Sequence, residues 1–264
     1  MQDRREEYIK KAEQYKPELY TEIVRPKEKL PTKALKAGEH IVFDFGNHYV
    51  GRLTFRCSFQ GSHPDAPAFL KIKFCEVERE LHEDSADYQG WISKSWIQEE
   101  WIHVDVIPST VNMSRRYAMR FVKIEVLYIS SKYDLVFEDV YFEACTSADD
   151  SILSVFEGTE EEQKLDQIAV RTLRNCMQDV FEDGPKRDRR LRIGDLRLQA
   201  LTNYETYRNL DVFKRCMYLF AGTADDDGRV RACLFTEPEI IGDDTYMFDY
   251  SLFFITILYY NFSS

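Results

Sequence analysis

An antiparallel β-sandwich followed by a set of α-helices is the fold the sequence predicts, and two hydrophobic periods predict it. From Gly38 to Ser147 apolar and polar residues alternate, the period of half-buried strands; beyond Ser147 apolar residues recur at three- and four-residue steps, the period of helices. The length of 264 residues suits one large or two ordinary domains, and 44% hydrophobic with 14% aromatic content supplies a packed core. The expected boundaries are 1–37 for an N-terminal lead-in, 38–148 for a jelly-roll-like sandwich and 149–264 for the helices.

The lead-in reads as a helix over Gln2 to Tyr15, then an extended segment interrupted at Pro17, Pro26 and Pro31 that packs across the next domain or closes something upstream. The strands follow: Ile41-x-Phe43-x-Phe45, Leu53-x-Phe55-x-Cys57-x-Phe59, Leu70-x-Ile72-x-Phe74, Ile102-x-Val104-x-Val106, Val122-x-Ile124-x-Val126-x-Tyr128 and Val136 to Ala144. Gly46-Asn47, Gly61-Ser62-His63-Pro64, Pro108-Ser109 and Ser130-Ser131 separate them, as turns of a sandwich should. Trp91, Trp96 and Trp101, five residues apart, have polar flanks that suit a carbohydrate-facing surface, although packing against the adjoining domain is the favoured reading.

Thr159 and Glu162 form a capping box, and Leu165, Ile168, Ala169, Leu173, Cys176, Met177, Val180 and Phe181 extend from it as one helix of about six turns. Further helices are expected from about Asp195 to Asn209, from Asp211 to Phe220 and from about Tyr250 to the C-terminus. Asp225-Asp226-Asp227-Gly228 lacks the alternating spacing of a calcium loop and reads as a solvated Asp-Gly turn.

A net charge of −11 argues against nucleic acid or an anionic membrane as partner and suits a neutral ligand. Met1 to Lys16 shows no signal-peptide pattern, and Leu252 to Tyr260 is too short to span a bilayer, so it reads as a buried helix of a cytoplasmic protein. The six cysteines, with no CxxC, read as reduced core residues. All five histidines precede residue 104, so the helical half can hold neither a Ser/His/Asp triad nor a His-based metal site. No metal and no cofactor is expected.

One stretch fits neither period: Glu182-Asp183-Gly184-Pro185-Lys186-Arg187-Asp188-Arg189-Arg190-Leu191-Arg192-Ile193-Gly194-Asp195. A helix-to-helix loop this long and this charged is a candidate site. Sugars need carboxylates that accept from vicinal hydroxyls, an acid for the leaving oxygen and aromatic faces. Asp183, Asp188 and Asp195 could supply the first two, or Asp183 and Asp195 could only cap helices and pair with the arginines.

The same stretch resembles the bacterial α-L-rhamnosidases of glycoside hydrolase family 78, whose barrel helix ends in Asp-Cys-Pro-x-Arg-x-Glu followed by Leu-Gly-Trp-x-Gly-Asp. Here the matching residues are Asp183-Gly184-Pro185-Lys186-Arg187-Asp188-Arg189, then Leu191-Arg192-Ile193-Gly194-Asp195. Asp44-Phe45-Gly46 with Val50-Gly51, Ile72-Lys73-Phe74-Cys75-Glu76-Val77 and Arg120-Phe121-Val122-Lys123-Ile124-Glu125 resemble strands of the sandwich that precedes the barrel in this family.

The resemblance implies that the helices open an (α/α)6 six-hairpin barrel and that the activity is inverting hydrolysis of a terminal α-L-rhamnoside or related deoxyhexoside. It implies sugar-binding roles for Asp183, Arg187 and Asp195, and for Asp249 through Tyr246-Met247-Phe248-Asp249-Tyr250, where Tyr246 and Phe248 could stack on a sugar or belong to the core. The family's general acid falls on Asp188 when counted back from Asp195 and on Arg189 when counted forward from Asp183. The family's tryptophan is replaced by Arg192 or Ile193, which bears on rhamnose specificity. The second carboxylate, the base, lies later in the barrel in this family.

Twelve barrel helices need roughly 200 residues or more, whereas 117 follow Ser147. The expectation is therefore an inactive fragment of the enzyme, whose helical face, including Leu252, Phe253, Ile255, Leu258 and Tyr259, lacks partners. Two other readings remain: a carbohydrate-binding protein without catalysis, and a scaffold that oligomerises through that exposed face.

Overall fold

The structure, a computed structural model, describes residues 2–29 and 33–263. Pro31, one expected interruption of the lead-in, lies outside the described residues. The chain divides into two compact units, Thr21–Cys145 and Met1–Tyr20 with Thr146–Ser264.

The sheet unit is built from β1 (Tyr20–Val24), β2 (His40–Gly61), β3 (Ala68–Cys75), β4 (Glu99–Val104), β5 (Ser109–Asn112), β6 (Tyr117–Tyr128) and β7 (Tyr133–Thr146). The strand order is β1-β7-β2-β6-β3-β4, with β5 also on β2. Two expected strands, around Phe43 and around Phe55, are one long β2. Its first half pairs with β6, and its second half pairs with β7 on one edge and β5 on the other. A strand that changes partners midway forms the corner between two packed layers.

Gly51 lies at that change, paired with both Tyr117 and Ala144. A Cβ there would sit 1.9 Å from the Glu143 carbonyl oxygen, so only glycine lets the three strands close. Just before it the ladder with β6 breaks between Asp44 and Tyr49. The Asp44 carboxylate holds this irregularity, accepting from Gly46 N at 2.7 Å and from Arg120 Nε and Nη2 at 2.9 Å each. Gly46 supplies a φ of 88°.

Alternation buries Phe43, Phe45, Leu53 and Phe55 of β2 against Leu70, Ile72, Ile124, Phe137 and Phe142. Each such side chain contributes about 1.5–3 kcal/mol by leaving water. Trp91 is not packed; it is 91% exposed.

In the other unit α1 (Gln2–Gln14) is the expected lead-in helix, but its partner is α4 (Leu210–Gly222) rather than the strands that follow it in sequence. Arg215 of α4 is buried and fastens it, donating to the Ala12 carbonyl at 2.9 Å and to Glu13 Oε1 at 2.8 Å. That cation satisfies the carbonyl end of α1, where the helix dipole is negative.

The helix α2 (Glu160–Cys176) begins at the expected capping box but stops well short of Phe181. Thr146 Oγ1 donates to the Arg174 and Met177 carbonyls at 2.6 and 3.0 Å, and Ser147 N donates to Met177 O at 2.8 Å. Those donors replace the next helical turn. Val180 and Phe181 stay buried through a bridge between Met177 and Phe181, so their spacing mimicked a continuing helix.

The remaining helices are α3 (Ile193–Glu205) and α5 (Phe248–Ser263). A small sheet missed by the sequence reading, β8 (Leu191–Arg192), β9 (Cys233–Phe235) and β10 (Ile241–Gly242), sits beside α3. Strands of two or three residues are too short to show a period. The expectation of a buried helix over Leu252 to Tyr260 is corrected: Ile257 is buried, but Leu252, Ile255 and Tyr259 are exposed. Among the described residues of α5, Phe253, Phe254 and Leu258 on one side meet apolar partners. Among the described residues no helix is long and apolar enough to cross a membrane. All six cysteines are free thiols, and all but Cys176 are buried.

Candidate functional site

The charged loop closes on itself. Asp183 N donates to the Arg190 carbonyl at 2.9 Å, and Arg190 N returns a bond to Asp183 Oδ1 at 3.1 Å. Within that ring the N–H groups of Arg187 and Arg189 both reach the Gly184 carbonyl, at 2.9 and 3.1 Å. Arg189 takes a left-handed φ of 54°, and its Nε turns back to the Pro185 carbonyl at 3.0 Å. From Arg190 the chain enters β8, whose pairing with β9 fixes Arg192 at the N-cap of α3.

Arg192 is the hub. Its Nε lies 2.9 Å from Asp183 Oδ2 and 4.0 Å from Asp195 Oδ2, and its Nη2 lies 3.5 Å from Asp188 Oδ2. One guanidinium therefore gathers the three aspartates singled out by sequence. Arg187 adds a second cation, with Nε 2.9 Å from Asp188 Oδ1. The carboxylates differ in access: the side chains of Asp183 and Asp188 are 7% and 12% exposed, that of Asp195 is 40%. Burial, and then the negative charge of Asp183, push the Asp195 carboxyl above its ordinary value, against the pull of Arg192.

Asp249 does not join this contact set. It is exposed in the first turn of α5, where its Oδ1 accepts from Tyr250 N at 3.1 Å. Its neighbour Tyr250 makes the approach instead: a Cβ on Gly194 would lie 2.7 Å from the Tyr250 hydroxyl oxygen. Gly194 thus lets α5 reach the start of α3. Of the two aromatics considered for stacking, Tyr246 is covered by the guanidiniums of Arg229 and Arg231, 4.7 and 5.1 Å from its centroid, while Phe248 is exposed. The acidic turn serves itself, because Asp225 accepts from Arg229 N at 2.8 Å and Arg229 Nε at 2.7 Å.

The sequence reading missed two supports. It took Arg192 only as a replacement for the family's tryptophan, whereas its guanidinium reaches Asp183, Asp188 and Asp195. It also passed over Asp243, which reaches Arg190 Nη1 at 3.5 Å and accepts from the Cys233 thiol at 2.9 Å. The Arg190 guanidinium in turn lies over Phe235, 4.4 Å from its centroid, so the small sheet braces the loop from behind. Burial pushes the Cys233 thiol up to about 11, which keeps it protonated as a donor.

Three carboxylates of unequal exposure around a fixed guanidinium can accept from adjacent hydroxyls, and a protonated member can give a proton to a leaving oxygen. The family model described as the glycosyl hydrolase family 78 alpha-rhamnosidase N-terminal domain matches residues 8–144. A rhamnosidase from Klebsiella oxytoca, solved with rhamnose bound, is 41% identical with a TM-score of 0.94 over 98% of this chain. This chain spans 55% of that protein's length. The family 78 rhamnosidase of Bacillus sp. GL1 is 18% identical with a TM-score of 0.66, over 83% of this chain and 21% of the other. The α-L-rhamnosidase of Dictyoglumus thermophilum is 16% identical with a TM-score of 0.63, over 92% of this chain and 26% of the other. Identities this low show a shared fold alone. No curated protein matches the chain.

Proposed function

This chain belongs to glycosyl hydrolase family 78, and from that premise we propose that it forms the sugar-binding, acid-bearing part of an α-L-rhamnosidase-type hydrolase. In this reading the helical unit opens an (α/α)6 barrel, and the substrate is a terminal α-L-rhamnoside or related deoxyhexoside. The observation that carries it is the convergence of Asp183, Asp188 and Asp195 on Arg192, at 2.9, 3.5 and 4.0 Å. The rhamnose bound by the Klebsiella oxytoca protein supports the sugar.

Asp183 and Asp195 accept hydrogen bonds from the sugar's hydroxyls, and Arg187 orients Asp188. Asp188 gives its proton to the glycosidic oxygen as the bond from C1 to that oxygen breaks. Water enters from the opposite face, losing its proton to a second carboxylate about 6.5–9.5 Å away, and the anomeric centre inverts. The base comes from a later part of the barrel. Asp188 is preferred over Arg189 as the acid because its carboxylate reaches the shared guanidinium, while the Arg189 side chain turns back to Pro185. Asp249 completes the sugar contacts once a ligand bridges from α3 to α5.

A non-catalytic sugar binder is the second reading, favoured by the two guanidiniums that engage Asp188, Arg187 on Oδ1 at 2.9 Å and Arg192 on Oδ2 at 3.5 Å, so that both of its oxygens are already partnered. The test joins this chain to the part of the Klebsiella oxytoca rhamnosidase outside the match and follows hydrolysis of methyl α-L-rhamnoside by proton NMR. β-L-Rhamnose as the first product is expected. α-L-Rhamnose first would contradict inversion, and rhamnose binding without hydrolysis by the folded protein would favour the binder.

A further inference from the structure

The sheet unit carries a second constellation that the hydrolase reading does not use. Along β3, Leu70 and Ile72 point into the core, so Phe69, Lys71 and Lys73 share the opposite face. Their cross-strand neighbours on β4 and β6 lie on that face too. Lys73 is flanked by Glu99 and Lys123, Lys71 by Trp101 and Glu125, and Phe69 by His103 and Tyr128.

Lys73 directly opposite Lys123 is a like-charge pair, which costs stability in a sheet. The face compensates with buried charge: the Glu99 side chain is 2% exposed and takes Lys73 Nζ at 2.9 Å, Lys71 Nζ at 3.4 Å and Ser85 Oγ at 2.6 Å. Lys71 Nζ also reaches Asp84 Oδ2 at 2.5 Å. A buried ionic network gives less stability than an apolar one of the same volume. The helical turns Glu78–His82 and Ser85–Asp87 wall the network in, pinned by Leu81 against Cys75 and Phe121. They leave a cavity of ≈ 260 Å³ lined by Lys71, Lys73, Lys123, His82 and carboxylates.

Charge in this cavity is matched. Lys71, Lys73 and Lys123 line it together with Glu83, Asp84 and Glu125, and Asp84 takes Lys71 while Glu125 lies 4.0 Å from Lys123. Such a site offers no net attraction for an ion, but it alternates donors and acceptors, which is what hydroxyls require because each one donates and accepts. Beside it are open aromatic surfaces. Trp101 is 50% exposed with Lys71 Nζ 5.2 Å from its ring, and Tyr128 is 72% exposed with one face stacked on Phe69 at 6.3 Å.

We propose that this face is a second sugar-binding site, taking one neutral sugar of an oligosaccharide in the Lys73, Lys123 and Asp84 cavity and the next sugar across Trp101. It stands independently of the catalytic reading. The experiment titrates the full chain, labelled for NMR, with neutral trisaccharides of glucose, mannose and galactose, with methyl α-L-rhamnoside and with trigalacturonate. At least one neutral probe is expected to shift the Trp101 indole N–H saturably. Trp101→Ala and Lys123→Met are each expected to weaken that binding about tenfold, whereas Asp188→Asn leaves it unchanged. The proposal fails if no neutral probe moves Trp101 at tens of millimolar, if Trp101→Ala leaves the affinity intact, or if trigalacturonate binds tightest.

Discussion

Asp195 occupies the first turn of α3, where the helix dipole favours a negative charge, and its carboxyl is nevertheless held above the ordinary 3.8. Burial is the larger cause and Asp183 the next. The folded protein then keeps this proton to higher pH than the unfolded chain, so the group takes stability away as pH rises through the interval above 3.8. Asp195→Asn is expected to raise the urea midpoint at neutral pH and to have little effect below pH 3.8. A lower midpoint at neutral pH would mean that the ionised carboxylate stabilises the fold. At this scale the sequence was partly legible. Asp183, Asp188 and Asp195 were chosen from residue type and resemblance, and all three converge. Arg192 was undervalued because the resemblance pointed to what it replaces, while its contacts depend on the loop closure and the β8 pairing, which no local pattern shows. Asp249 was placed with them by motif, but a motif does not carry side-chain direction, and the approach to α3 is made by Tyr250.

Among the elements, β2 shows what alternation conveys and what it hides. Period two marked Phe43, Phe45, Leu53 and Phe55 as inward-facing, and they are in the core. It could not show that one strand serves both layers, because the signal for that is a single glycine. Gly51→Ala would drive a Cβ to 1.9 Å from a carbonyl oxygen of β7 that cannot retreat without breaking its ladder. A loss of at least about 3 kcal/mol is expected, at the upper end for overpacking. Chemical denaturation of the full chain followed by tryptophan fluorescence reads this directly, since all three tryptophans lie in the sheet unit. A midpoint within error of the parent would show that the corner tolerates a side chain. The early end of α2 is the converse case: the apolar spacing through Phe181 was real, but the donors that end the helix come from Thr146 and Ser147, distant in sequence.

For the whole molecule, the order of a sheet-rich part and a helical part was legible because the two periods do not overlap. The affiliation of α1 was not: an amphipathic helix near the start carries no label for its partner, and α4 claims it through Arg215. In the proposed reading, a self-closed loop braced by the small sheet presents Asp188 as the proton donor. The most direct test compares Asp188→Asn with the parent, both joined to the remaining part of the Klebsiella oxytoca rhamnosidase, on two rhamnosides. An alkyl leaving group needs the proton, while 4-nitrophenolate leaves without one. The expected result is a fall in kcat/KM of about 10²–10⁴ for methyl α-L-rhamnoside, the usual worth of a positioned acid, and a much smaller fall for the 4-nitrophenyl substrate. Equal losses on both substrates, or none on either, would contradict the assignment of Asp188 as the acid.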